Sequence, residues 1–270
     1  MLDGREVTVL GAGVAGLTVA MAMARQGAQV HVLEQAPVIR EVGAGLQITP
    51  NGMAVLRALG LGSAAEAVSQ AAEGVELIDG ETGQMVTRID FARLGRPGDF
   101  RFFHRADLIF LLEQAARSAG ARIALGQRVE AVHLATDHPP ALEPANGRQL
   151  PPLLIGADGL QSRVRAAING AVAPFFTGQV AWRATLPADG PIAPVARVYM
   201  GAGRHLVTYP LRGGHLRNIV AVEERRHWAE ESWSLTDDPL ALRLAFESFI
   251  PAVRGWLDRI ERPHLWGLFR

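Results

Sequence analysis

The chain of 270 residues is 49% hydrophobic with a formal net charge of zero, so it can form one large or two smaller domains and gives no indication of a nucleic-acid or anionic-membrane surface. It contains no cysteine, which excludes disulfides, thiolate zinc sites and cysteine nucleophiles. All 27 basic residues are arginine and no His-Glu-x-x-His motif is present, so Schiff-base chemistry, a Walker A lysine and a metal site are not predicted.

The first 35 residues have the pattern of a nucleotide-binding unit. A β-branched run at 7–10 predicts a strand, and a small-residue stretch at 17–26 predicts a helix that ends before Gly27. GAGVAG at 11–16 joins them, and its glycines permit a tight turn, admit a pyrophosphate and allow close packing. A second strand at 30–33 ends at Glu34, where a carboxylate can accept hydrogen bonds from ribose hydroxyls.

Two other interpretations of this segment are a membrane span and a signal peptide. Residues 7–24 are uncharged and just long enough to cross a bilayer, and Ala-Met-Ala at 20–22 resembles a cleavage site. The acidic Asp3 and Glu6 before the run, and the glycines within it, favour the nucleotide-binding unit. We therefore predict a cytoplasmic protein without a membrane span.

The next segment, 40–51, is a glycine-rich loop. It is either a simple connector or a backbone that lies against a flat ligand, because Gly43 and Gly45 have no side chains. Asn51 is predicted to cap the helix after it. The further elements predicted up to residue 170 are helices at 52–59 and 64–71, a hairpin at 74–89, a loop at 91–103, a helix at 108–118 capped by Asp107, strands at 122–125 and 128–134, a polar stretch at 137–144, a turn at Asn146-Gly147, a strand at 153–155 and a helix from Ser162.

The second half of the chain changes to strands separated by Pro- and Gly-rich breaks, which predicts a separate, mainly antiparallel sheet. The predicted strands are 179–186, 195–200, 205–211 and 218–222, and helical sequence follows at 228–257 with Asp238-Pro239 at a helix start. The chain is therefore predicted to be α/β. One domain comprises 1–70 and 104–170, the other 71–103 and 171–270, with a substrate cleft between them.

Several motifs in a fixed order resemble those of the FAD-dependent aromatic hydroxylases, the class A flavoprotein monooxygenases. They are GAGVAG (11–16), REVGAGLQITPN (40–51), HRADL (104–108) and GADGLQSRVR (156–165). AWRAT (181–185), HLVTYPLRGG (205–214) and WGLF (266–269) are similar to the salicylate and 3-hydroxybenzoate 6-hydroxylase branch. The resemblance implies a p-hydroxybenzoate hydroxylase-like fold, with a Rossmann-like FAD-binding domain and a second, mainly antiparallel β substrate domain.

The resemblance also implies which residues bind FAD. The pyrophosphate would be held by Gly11, Gly13, Ala15 and Gly16, and the adenosine ribose by Glu34 with Gln35 beside it. Arg40, Gly45 and Leu46 would run alongside the flavin, Arg105 would contact the ribityl–phosphate region, and Val129 would meet the adenine through its backbone. Asp158 belongs to a motif tied in the family to FAD and NAD(P)H; alternatively it is a turn and cap that braces the cofactor loop.

By this resemblance NAD(P)H reduces FAD, O2 adds at flavin C4a, and the hydroperoxide hydroxylates a small phenolic acid. The family carries a later Gly-Asp motif and a Pro-containing loop beside the flavin, and this sequence reaches Arg270 before either, which indicates a truncated homologue or a fragment. A non-catalytic FAD- or nucleotide-binding homologue, and a quinone-pathway hydroxylase or epoxidase on the same fold, are the alternatives. A homodimer is left open.

His205 and Tyr209 are the candidate catalytic residues. They lie four apart on the predicted strand 205–211, so their side chains share one sheet face, whereas Leu206 and Thr208 point to the other. An imidazole suits deprotonation of a phenol near neutral pH, and Tyr209 would orient the ring or its carboxylate. In the branch that this chain resembles, a histidine at this place in HxxxYP is the candidate base. The alternative is a surface histidine beside a core tyrosine.

Overall fold

The computed structural model describes residues 2–39, 45–95, 98–144, 147–225 and 237–270. The chain separates into two compact units, one of Met1–Glu41 and Ala106–Pro174 and one of Val42–Arg105 and Phe175–Arg270. In the described ranges no helix combines the length and the apolar character that crossing a bilayer requires. The uncharged run at 7–24 forms a strand and then a helix.

The elements up to residue 170 are β1 (Glu6–Leu10), α1 (Val14–Ala24), β2 (Gln29–Leu33), β3 (Gly45–Ile48), α2 (Pro50–Ala58), α3 (Gly62–Ala67), β4 (Ser69–Ala71), β5 (Gly74–Asp79), β6 (Met85–Asp90), β7 (Arg101–His104), α4 (Arg105–Ser118), β8 (Arg122–Ala124), β9 (Val129–His133), β10 (Ala141–Pro144), β11 (Leu154–Gly156) and α5 (Arg163–Asn169). They are followed by β12 (Phe176–Pro187), β13 (Val195–Gly201), β14 (Arg204–Leu211), a short 3₁₀ turn, β15 (Leu216–Glu224), α6 (Pro239–Ala245), α7 (Pro251–Asp258) and β16 (His264–Phe269).

The first unit contains a parallel sheet in the order β11-β1-β2-β8. Alternate residues of β1 and β2, Val7, Val9, Val30 and Val32, are at most 1% exposed and form its core. β9 and β10 make a separate antiparallel pair. The predicted strand–glycine loop–helix–strand pattern is confirmed, and it brings the glycine loop to the carboxyl end of β1.

The second unit is built on a seven-stranded sheet in the order β16-β12-β15-β14-β13-β5-β6, antiparallel apart from the parallel pair β13–β5. Side chains of one face, including Trp182, Leu206 and Ile219, pack with Phe246 and Leu257 of the segment that holds α6 and α7. We call the opposite face, which carries Arg183, His205, Tyr209, Asn218 and Trp266, the polar face. As predicted, the β5–β6 hairpin joins this sheet rather than the parallel one.

A three-stranded sheet, β3-β7-β4, belongs to the same unit. Phe102 of β7 is 1% exposed and stacks on Tyr209 of the polar face, with ring centroids 4.9 Å apart. This contact places the start of β3 beside Tyr209.

Several predicted elements were wrong. The loop predicted at 91–103 ends in β7, and the helix predicted at 64–71 stops at Ala67 and gives way to β4. Both errors have one cause, because β4 pairs with β7, and this pairing joins segments about 30 residues apart. The end of the polar stretch at 137–144 likewise becomes a strand, β10, by pairing with β9.

Two predicted helix caps were also wrong. α2 begins at Pro50 and its N-cap is Thr49, because proline favours the first helical position; Asn51 lies inside the helix and its side chain accepts a hydrogen bond from the Thr49 hydroxyl. α4 begins at Arg105, so Asp107 lies in the first turn rather than at the cap, where its charge still suits the helix dipole. The predicted cap Asp238 is confirmed, since its side chain accepts from Leu240 N at 2.8 Å.

The predicted division into a cofactor domain and a substrate domain stays a prediction. The compact units differ from its bounds by a few residues at 104–105 and 171–174, and mainly at residues 42–70, which group with the second unit because β3 and β4 pair with β7. Arg40 and Gly43 of the predicted flavin loop, Asn146 of the predicted turn, and residues 228–236 of the predicted helical segment lie outside the described residues.

Candidate functional site

The glycine loop after β1 is fixed by two glycines and left open by the third. Gly11 has φ of +102°, and a Cβ there would overlap the carbonyl oxygen of Ala157. A Cβ on Gly16 would overlap the carbonyl oxygen of Gly11, so α1 can approach the loop only with glycine at this position. A Cβ on Gly13 would meet no atom of the described residues within 4 Å, which leaves free space in front of the backbone.

That free space lies at the N-terminus of α1. Gly13 is the N-cap residue and no side chain caps the helix, so Val14, Ala15 and Gly16 begin the helix without a capping group. Amide groups at such a terminus, together with the helix dipole, favour a phosphate. The loop therefore fits the pyrophosphate of a dinucleotide.

Glu34, at the end of β2, holds this loop in place. Its Oε2 accepts a hydrogen bond from Ala12 N at 2.7 Å and its Oε1 accepts one from Ala36 N at 2.9 Å. Because each carboxylate oxygen can accept two hydrogen bonds, both oxygens keep capacity for ribose hydroxyls. Gln35, the neighbouring predicted contact, is exposed.

Asp158 braces the same loop from the neighbouring strand. It follows Ala157, which abuts Gly11, and its Oδ2 accepts from Arg163 N at 2.6 Å and Val164 N at 3.3 Å. Its Oδ1 accepts from the Ser162 hydroxyl at 2.5 Å. The structure therefore shows the turn-and-cap arrangement, while a direct role of Asp158 toward a cofactor stays a prediction. Val129, predicted to meet the adenine, is 7% exposed at the start of β9.

In the second unit, the start of β3 is locked against the polar face. Gly45 N donates to Asn218 Oδ1 at 2.8 Å, and a Cβ on Gly45 would lie 2.6 Å from Tyr209 Oη. The next residue, Leu46, pairs with Phe103 of β7. Gly45 and Tyr209, predicted separately as flavin-side and catalytic residues, are therefore neighbours.

His205 and Tyr209 share the polar face as predicted, but their surroundings differ. Tyr209 is 4% exposed and burial raises its pKa well above the usual value, so its hydroxyl keeps its proton. His205 is half-buried and lines a surface groove with Met200 and Val222; burial lowers its pKa, which favours the neutral imidazole. Their Cα atoms are about 13 Å apart, since a strand rises about 3.3 Å per residue.

Sequence reasoning gave no role to two further residues of the polar face. Arg183 lies opposite Val220, and Asn218 lies opposite both Thr185 and Tyr209, so Arg183 and Asn218 are diagonal neighbours on paired strands. Asn218 is 1% exposed. In the sequence, Asn218 is recognisable only as a polar residue within an apolar strand. The register of the sheet is what places it beside Tyr209.

Comparison with known proteins assigns the chain to a family. Residues 5–260 match the FAD binding domain family. The chain is 32% identical over 263 residues to the 3-hydroxybenzoate 6-hydroxylase of Polaromonas naphthalenivorans, a match that covers 93% of this chain and 64% of that protein. It is 31% identical over 269 residues to the 3-hydroxybenzoate 6-hydroxylase of Klebsiella oxytoca, covering 96% of this chain and 66% of that one. The chain thus spans about two thirds of the length of these curated relatives.

A solved salicylate hydroxylase substrate complex shares the fold, with a TM-score of 0.78 and 22% identity over 99% of this chain and 69% of that one. The fold is therefore that of the class A flavoprotein hydroxylases, as predicted. The chain belongs to the FAD binding domain family, and the predicted cofactor, FAD, is confirmed by that match. The glycine loop, the uncapped helix and Glu34 fit the ADP half of FAD.

Proposed function

We propose that the chain functions as a flavoprotein monooxygenase that hydroxylates a small phenolic acid with NAD(P)H and O2. The observation that carries the proposal is the polar face, where a half-buried histidine, His205, and a buried tyrosine, Tyr209, lie on the same strand, β14. The same chain carries a glycine loop of the type that binds FAD. The relatives named 3-hydroxybenzoate 6-hydroxylase support a hydroxybenzoate as the substrate class.

The cofactor would be held by Gly11, Gly13, Ala15, Gly16 and Glu34. Bound FAD supplies hydride acceptance from NAD(P)H and activation of O2. Gly45, Leu46, Arg105, Val129 and Asp158 are proposed as further FAD residues because of the family resemblance, and Gly45 is supported by its position against Tyr209.

His205 would act as the base toward the phenol. A neutral imidazole can accept the phenolic proton, which makes the ring carbon a better nucleophile. Tyr209 keeps its proton in this environment and would donate a hydrogen bond to the substrate. Val207 and Val220, half-buried and opposite each other between these residues, would support the aromatic ring.

The partners follow from this chemistry. A small aromatic acid, O2 and NADH or NADPH are the proposed reactants, and a cytoplasmic location would supply the nicotinamide cofactor. A homodimer remains a proposal, and one structural neighbour is described as tetrameric.

The test is to compare wild type with His205→Ala, supplied with FAD, NADH and 3-hydroxybenzoate. We expect the variant to keep flavin reduction by NADH, to lose hydroxylation by about 10²–10⁴-fold because the base is gone, and to release hydrogen peroxide instead. Equal hydroxylation near neutral pH in both would remove His205 from the mechanism. Absence of any hydroxylated product from the wild type would contradict the proposed function itself.

A further inference from the structure

Arg183 is a half-buried cation for which the described residues provide no carboxylate. Its guanidinium lies over the ring of Trp266, with Cζ 5.3 Å from the ring centroid. No Asp or Glu among the described residues lies within ion-pair distance of it. Burial lowers the pKa of Arg183, and Tyr209 and Arg105 lie close enough to influence it as well. An anionic ligand would stabilise the charged form of a cation in this position, because partial burial weakens its hydration.

Asn218 supplies a hydrogen-bond donor next to this cation. Its Oδ1 accepts from Gly45 N, which fixes the orientation of the amide and leaves Nδ2 as the second, unused hydrogen-bonding atom of the side chain. Nδ2 is buried and has no partner within the described part of the chain. A buried amide donor without a partner is uncommon in native proteins, so it marks a place where a ligand acceptor would fit.

Tyr209 completes the set with a donor of the same kind. Its hydroxyl keeps its proton, and the residue lies directly opposite Asn218. The cluster therefore offers a guanidinium, an amide N–H and a phenol O–H, which are all donors. A carboxylate matches it, since the guanidinium fork pairs with two coplanar oxygens. Arg183 also lines a surface groove with Thr185, His264 and Trp266, so a small ligand can reach it.

We propose that Arg183 and Asn218 form the carboxylate-binding subsite of the polar face, which holds the acid group of the aromatic substrate. This inference rests on the proposed function and deepens it, because it fixes the direction of the ring. The acid group lies at the Asn218 and Tyr209 end, and the phenol extends along the strand toward His205. Arg183 is then a specificity-determining residue that selects aromatic acids over neutral phenols.

The test measures binding of 3-hydroxybenzoate and of its neutral analogue 3-hydroxybenzamide to the FAD-loaded chain by titration calorimetry, without turnover. We expect the wild type to prefer the benzoate. Arg183→Gln should weaken binding of the benzoate by about 10- to 100-fold, the scale of a charge-assisted hydrogen bond, and leave the benzamide unchanged. Arg183→Lys should retain part of the preference, because it keeps the charge and loses the fork.

Arg217→Gln is the matched control. Arg217 is also half-buried and stacks on a tryptophan, with Cζ 4.1 Å from the Trp256 ring centroid, but it belongs to the opposite face of the same sheet. This variant should keep the wild-type preference. Asn218→Asp provides a second test in case Arg183→Gln does not fold, since it keeps the acceptor for Gly45 N and replaces the Nδ2 donor with a charge that repels a carboxylate. It should also lose the preference for the benzoate.

The outcomes separate this inference from the proposed function. If Arg183→Gln, or Asn218→Asp in its place, binds the two ligands with the wild-type preference, the subsite is wrong while hydroxylation can still stand. If the wild type binds both ligands equally, the carboxylate subsite is contradicted and an aromatic site remains. If the wild type binds neither ligand and also forms no hydroxylated product, both proposals are wrong.

Discussion

At the scale of single residues, Glu34 has a structural role and a proposed cofactor-binding role, and a sequence pattern does not distinguish them. Family resemblance assigns its carboxylate to the ribose, and the structure shows the same carboxylate accepting hydrogen bonds from Ala12 N and Ala36 N. Ala12 is 4% exposed, so its amide has little access to water if the carboxylate is removed. Glu34 therefore supports the loop that would receive the cofactor, independently of the cofactor itself.

We expect Glu34→Ala to lower the free energy of unfolding of the cofactor-free chain by about 1–3 kcal/mol, the cost of leaving a buried donor unpaired. It should also weaken FAD binding. Gln35→Ala is the control, because Gln35 is exposed and its replacement should change the unfolding free energy by no more than about 0.5 kcal/mol. Denaturant titration checks both. Equal stability of wild type and Glu34→Ala would mean that these hydrogen bonds do not hold the loop.

His205 gives a prediction with a defined pH direction. Burial holds its pKa below the ordinary value of 6.5, so below pH 6.5 the unfolded chain binds a proton that the folded chain resists. Its contribution to stability is therefore present above that pH and is lost as the pH falls through the folded-state pKa. We expect His205→Gln to reduce the loss of unfolding free energy between pH 7.5 and 5, and the exposed His138→Gln to leave it unchanged.

The same shift sets the expected pH profile of hydroxylation. A base that stays neutral below pH 6.5 gives an acid limb of kcat/KM with a midpoint below 6.5. A midpoint clearly above 6.5 would mean that another group carries the proton.

At the scale of elements, the start of β3 shows how tightly one backbone segment can be held by the polar face. Gly45 donates to Asn218, and a Cβ there would lie 2.6 Å from Tyr209 Oη and 2.8 Å from Asn218 Cγ. Neither neighbour can withdraw easily, since Tyr209 stacks on Phe102 and the Asn218 amide is held by its hydrogen bond from Gly45 N. Glycine is therefore required by contact rather than by backbone angle.

Gly45→Ala should lower the free energy of unfolding by about 1–3 kcal/mol through overpacking. Gly190→Ala is the matched control in the same unit, because a Cβ there would meet no atom within 4 Å; it should change stability by no more than about 0.5 kcal/mol. Thermal and denaturant unfolding measure the difference. Comparable stability of the two variants would show that the Tyr209–Asn218 corner can open without cost.

Local patterns predicted the elements whose signal is local. β1, β2 and the β5–β6 hairpin have apolar runs or turns that identify them alone, and Asp238-Pro239 marks a helix start by itself. β4 and β7 could not be found this way, because β4 becomes a strand only by pairing with β7, and β7 by pairing with β3 and β4. The same limit applies to the site. His205 and Tyr209 lie on one strand, whereas Arg183 and Asn218 join them only through the register of β12, β15 and β14.

At the scale of the whole molecule, the described residues form two compact units with different features. The first has a parallel sheet and a glycine loop that fits a dinucleotide. The second has a sheet with one face packed against helical segments and the other carrying donors and a histidine whose pKa is lowered by burial. Binding of FAD by the loop is the property on which every proposed step on the polar face depends.

The most direct measurement is a titration of the purified chain with FAD, followed by quenching of flavin fluorescence, for wild type and Gly13→Val. The Cβ of the valine would meet no atom within 4 Å in the part of the chain that the structure describes, yet the side chain would occupy the space proposed for the pyrophosphate. We predict saturable binding by the wild type and at least about 10-fold weaker binding by the variant, the scale of lost hydrogen bonds to a charged group. Equal affinity in the two proteins, or no binding by the wild type, would contradict binding of FAD at the glycine loop.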